Sequence, residues 1–113
     1  MKKLLALILG SLLVVAAHAH TKLATTAPAA DSSVAAPRAI ELAFAGDVRL
    51  TAVALADAAG VAKHVDAVPT AIASKFSIAI HEPLSPGKYT VTWRAVGGDT
   101  HIVSGEFAFT VTQ

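Results

Sequence analysis

Residues Leu84 to Val111 read LSPGKYTVTWRAVGGDTHIVSGEFAFTV. In the first half, Tyr89, Val91, Trp93 and Ala95 share one face, and Thr90, Thr92 and Arg94 take the other. In the second half, Phe107, Phe109 and Val111 repeat the pattern. A period of two marks a half-buried strand, because successive side chains of an extended chain point to opposite faces. Between the two runs stand Gly97, Gly98 and Asp99, residues that suit a tight turn. Pro86-Gly87 supplies the turn before them. Tyr89 lies where a β-sandwich places its tyrosine corner, and it also reads as a plain core aromatic.

Working outward, RAIELAF (Arg38 to Phe44) sets Ile40, Leu42 and Phe44 on one face. VRLTAVALAD (Val48 to Asp57) and KFSIAI (Lys75 to Ile80) read as two more strands. KLATT (Lys22 to Thr26) and VAKHV (Val61 to Val65) read as short ones. The connections carry turn residues: AGD at 45–47, DAAG at 57–60, VPTAIAS at 68–74 and HEPLSPG at 81–87. APAADSSVAAP (Ala27 to Pro37) reads as a loop of small and polar residues. Seven short strands without a helical period predict an all-β fold, a seven-stranded antiparallel β-sandwich of immunoglobulin-like type.

The start of the chain is different. Lys2 and Lys3 precede an apolar run, Leu4 to Val15, that is short for a membrane span. Ala17 and Ala19 then give the small-x-small pattern of a cleaved export signal. Residues 1–19 are therefore expected to be a signal peptide, with a single domain from 20 to 113 and a periplasmic address. The mean hydropathy of +0.60 is inflated by this leader. Nine Lys and Arg stand against eight Asp and Glu with no charge run, so nucleic acid is not an expected partner. Stable membrane insertion after cleavage is not expected either.

Sulfur narrows the chemistry further. The chain has no Cys, and its one Met is Met1, inside the leader. Thiolate and thioether sites, blue copper included, are excluded, so any bound metal must be held by nitrogen and oxygen.

If the seven strands run antiparallel, successive connections alternate between the two ends of the sandwich. The new N-terminus, the AGD segment and the GGDTH turn then share one end. Asp99 and His101, two apart, project from the same face of an extended segment. An N-terminal His20 adds its free amine and its own Nδ1, a bidentate histidine brace. His20, Asp99 and His101 together offer three nitrogens and an oxygen, a set that suits Cu(II) or Ni(II), or Zn(II) tetrahedrally. Asp47 reads as a turn aspartate and as a candidate outer-sphere oxygen. His64 and His81 fall away from this end and read as exposed surface histidines. Cleavage after Ala17 would instead start the chain at His18-Ala19-His20, a square-planar copper or nickel motif of its own.

The chain resembles the CopC family of periplasmic copper-binding proteins. The resemblance rests on AHAHTKLATTAPAADSSV (Ala17 to Val34), PRAIELAF (Pro37 to Phe44) and the stretch from Leu84 to Val111, above all Trp93-Arg94, Asp99-Thr100-His101 and Gly105. It implies a Greek-key, cupredoxin-like sandwich that binds Cu(II) through His20, Asp99 and His101. It also implies a role in copper homeostasis or resistance, and a link to CopD-type inner-membrane proteins. Many relatives add a Met-rich Cu(I) segment that this chain lacks, so the resemblance is to a Cu(II)-only member.

Two other readings remain at this stage. A metal-free immunoglobulin-like module of the cell envelope would use the same sandwich. An oxygenase would also use a histidine brace, but the only Trp and only Tyr read as core, leaving no aromatic substrate platform. An enzyme is not expected.

Overall fold

The structure is a computed structural model and describes residues 22–113. The leader and His20 lie outside the described residues. Seven strands follow in chain order: β1 (Leu23–Ala27), β2 (Ser33–Val34), β3 (Ala39–Asp57), β4 (Ala62–Lys63), β5 (Ile72–Ala79), β6 (Gly87–Gly97) and β7 (Ile102–Val111). The all-β class and the strand number agree with the sequence, but the membership differs. The second and third predicted strands form one 19-residue strand, β3, and Ser33–Val34, read as loop, pairs in parallel with β7. The fold is therefore mixed rather than purely antiparallel.

β3 organises everything else. Its first half lies between β1 and β5, and its second half pairs with β6 and β4. The change occurs at AGD. Ala43 pairs with Lys75 and Val48 with Ala73, so four residues of β3 face one of β5. AGD is thus an enlarged bulge that deflects a strand, not a turn that reverses it. The backbone stays satisfied because the Ala45 amide donates to the Lys22 carbonyl at 2.8 Å. A second irregularity lies between Leu50 and Ala52, where Thr51 is the extra residue and its hydroxyl donates to the Arg94 carbonyl. The inward set shifts accordingly, from Val48 and Leu50 to Leu55.

The core holds every residue that alternation set inward, and adds Val48, Leu50, Leu55, Phe76, Ile78 and Leu84 from segments where the period was less clean. Ile40, Leu42 and Phe44 from β3, Phe76 and Ile78 from β5, Tyr89, Val91, Trp93 and Ala95 from β6, and Phe107, Phe109 and Val111 from β7 are all buried. No polar or charged residue among the described ones is buried with them. The Tyr89 hydroxyl donates to the Ser85 carbonyl at 2.7 Å while its ring stacks on Phe109 at 5.8 Å. Tyr89 is thus both a tyrosine corner and a core aromatic. Trp93 meets Phe44 edge-on at 5.3 Å and lies against Gly105, where an added Cβ would come within 2.9 Å of the indole. Gly105 therefore sits where the indole leaves no room for a side chain.

The turn from β3 to β4 is fixed by Asp57. Its Oδ1 accepts from the amides of Val61 and Ala59, each at 2.9 Å. The Val61 amide and then the Ala59 amide and Lys63 hold the Asp57 carboxyl below the usual carboxylate range. This contribution is present above the ordinary carboxylate pKa and fades as pH falls through the lowered one.

Candidate metal centre

The hairpin between β6 and β7 positions the two described members of the predicted site. The Gly97 amide donates to the His101 carbonyl at 3.0 Å, and the Thr100 amide donates to the Gly97 carbonyl at 2.9 Å. This is a three-residue loop, a turn closed by a residue in the left-handed region. That residue is Thr100, at φ 68°. A β-branched residue is strained there, and glycine is the usual occupant. Strain of this kind costs about 1–3 kcal/mol and collects at functional sites.

Asp99 and His101 are brought together and partner each other. Asp99 Oδ2 lies 2.8 Å from His101 Nδ1, and Oδ1 accepts from the His101 amide at 3.1 Å. The carboxylate thus orients the ring and favours a proton on Nδ1, which assigns Nε2 as the nitrogen that would coordinate a metal. Opening the pair would let the carboxylate coordinate directly. Two-thirds of the His101 side chain is exposed, while that of Asp99 is partly buried.

Of the segments expected to share one end, the described backbone sets the start of β1, the AGD segment and the hairpin next to one another, for a different reason than the alternation of connections. Leu23 pairs with Phe44, so β1 begins beside the AGD bulge. Val48, just past the bulge, pairs with Gly97 at the hairpin. Asp47 lines a shallow depression with Gly97, Gly98 and Thr100. The bulge, not a reversing loop, brings these segments side by side. His20 is two residues upstream of Lys22 and lies outside the described residues. Among the described residues, no three His, Asp or Glu side chains gather closely enough to hold a metal by themselves.

His64 and His81 are exposed, as the sequence reading expected, but they are also neighbours. Their rings lie 5.8 Å apart at the far end of β5 from the hairpin. Their separation in sequence gives no sign of this. Only the pairing of Val65 with Ile80 reveals it.

The chain matches the CopC domain family over residues 23–112. It is 35% identical to Copper resistance protein C of Escherichia coli over 105 residues, covering 84% of this chain and 83% of that protein. It is also 35% identical to Copper resistance protein C of Pseudomonas syringae pv. tomato, covering 90% of this chain and 88% of the relative. Among solved structures, PcoC, a methionine-rich copper resistance protein from Escherichia coli, superposes with a TM-score of 0.71 at 36% identity. That match covers 83% of this chain and all of PcoC. CopC from Methylosinus trichosporium OB3b superposes with a TM-score of 0.69 at 28% identity, covering 81% of this chain and 93% of the other.

Proposed function

This chain belongs to the CopC family, and from that premise we propose that it is an exported copper-binding protein that carries or buffers Cu(II) in the periplasm. The signal peptide is cut after Ala19, and the new terminus presents His20. The His20 amine and imidazole, the His101 imidazole and the Asp99 carboxylate hold the ion. Asp47 contributes charge from the neighbouring bulge without binding directly.

The observation that carries this reading is the Asp99–His101 pair, held on a strained hairpin beside the bulge where β1 begins. Closed, the carboxylate fixes the imidazole tautomer as the usual partner of a metal-binding histidine does; opened, it can bind the ion itself. The sulfur-free composition beyond Met1 supports Cu(II) over Cu(I), since soft ligands are lacking. PcoC, by contrast, is described as methionine-rich. Surface exposure of His101 suits a carrier that must give up its cargo. Acidification should release the ion, because the imidazoles and amine must be deprotonated to bind. A CopD-like membrane protein fits as the acceptor.

The test is to purify the exported protein, weigh its N-terminus and record its Cu(II) electron paramagnetic resonance spectrum. A chain starting at His20 with nitrogen hyperfine structure is expected. A start at His18, or a spectrum unchanged by His101→Ala, would instead favour the short N-terminal motif His18-Ala19-His20.

A further inference from the structure

The other end of the molecule carries a second pair of imidazoles. Val65 and Ile80 form an isolated antiparallel bridge, and both pack against the core. The neighbouring positions, His64 and His81, are therefore directly opposite each other and face outward. The His81 amide donates to the His64 carbonyl at 2.8 Å, and the Asp66 amide donates to the Ala79 carbonyl at 2.9 Å, which fixes the register. Glu82 adds a clamp, its Oε2 accepting from the His64 amide at 2.6 Å. Lys63 sits between Glu82 and Asp57, at 3.9 and 3.5 Å. The Asp57 turn thus fixes the segment that carries His64.

We propose that His64 and His81 form a second, surface binding site for a divalent transition ion of imidazole preference, with Asp66 as the residue that orients His81. Three observations carry it. First, a metal about 2 Å from each ligating nitrogen lies roughly 3 Å from each ring centre, so two imidazoles on one ion have centres up to about 6 Å apart. The observed 5.8 Å lies near that limit, so the rings must close by roughly 1 Å to reach the tetrahedral angle of Zn(II). Second, His81 Nε2 lies 2.8 Å from Asp66 Oδ1. With Nε2–H donating to the carboxylate, Nδ1 is the nitrogen left for a metal. Third, half of the His81 side chain is exposed, so an ion can reach it from solution. Glu82 is committed to the His64 amide and Lys63, so the remaining coordination positions belong to water. Two protein ligands and water make a weaker, more exchangeable site than the hairpin would with His20.

The site is tested with Zn(II) alone as the probe, followed by NMR of the histidine rings in wild type and in His101→Ala. In both proteins, Zn(II) should shift the His64 and His81 ring signals together. Either His64→Ala or His81→Ala should abolish the response of the remaining ring. Asp66→Asn should weaken it about 10-fold while leaving both rings in place. Because the readout is confined to these two rings and is expected to persist in His101→Ala, this result does not depend on how copper is held at the hairpin. If the two rings do not move with Zn(II), or if His64 still responds fully in His81→Ala, the site does not exist. Asp66→Asn with unchanged affinity would remove Asp66 from it.

Discussion

His101→Ala is expected to lower Cu(II) affinity by at least about 100-fold, because losing a direct ligand exceeds the 10–100-fold cost of losing a supporting partner. The side chain is at the surface, so little packing is lost with it. The backbone of the hairpin is fixed by the Gly97–His101 and Gly97–Thr100 hydrogen bonds, which alanine at 101 leaves intact. The loss should therefore be in binding and not in folding, with an unchanged far-ultraviolet circular dichroism spectrum. His64→Ala and His81→Ala should leave the tight phase of the copper titration in place, since they lie at the far end of β5. Equal losses in all three variants would take the copper site away from the hairpin.

Trp93→Ala should have the largest effect on stability. Trp93 is 8% exposed, meets Phe44 edge-on at 5.3 Å and lies flat enough on Gly105 to exclude a Cβ there. Removing a large buried aromatic costs about 3–5 kcal/mol, from lost burial and from the cavity left behind. In a domain of this size each kcal/mol moves the melting temperature by roughly 4–8 °C, so Tm should fall by roughly 12 °C or more. Calorimetry measures this without relying on tryptophan fluorescence. A fall of only a degree or two would mean that the indole is not part of the core. Trp93 also lies four residues before Gly97 on β6, so its loss should fray the strand that carries the hairpin.

The core was legible in the sequence because alternation survives wherever one face of a strand is buried. Ile40, Leu42 and Phe44, and again Tyr89, Val91 and Trp93, show it without interruption. The misreading at AGD has a specific cause. Gly46 and Asp47 look like a reversing turn, but the strand bulges there instead, and Ala45 finds its hydrogen bond on Lys22. That bond depends on a segment more than twenty residues away and leaves no local trace. β2 was missed for a related reason, since two residues in a polar stretch show no period, and a parallel partner is set by the fold. Asp99 and His101 were legible as a pair, but not for the expected reason: the segment is a turn, not extended, and the two meet because Asp99 accepts from the amide two residues on and reaches the ring. The pairing of His64 with His81 was not, because it follows from the register of two segments and not from either alone.

The histidine brace rests on the free amine of His20. The most direct test is a Cu(II) competition titration of two proteins, one starting at His20 and one carrying a single extra residue before it. The extra residue turns the His20 amine into an amide and leaves Asp99, His101 and the fold untouched. Tight binding should be lost in the extended protein and kept in the other. Equal binding by both would contradict the brace and return the Asp99–His101 hairpin to a structural turn.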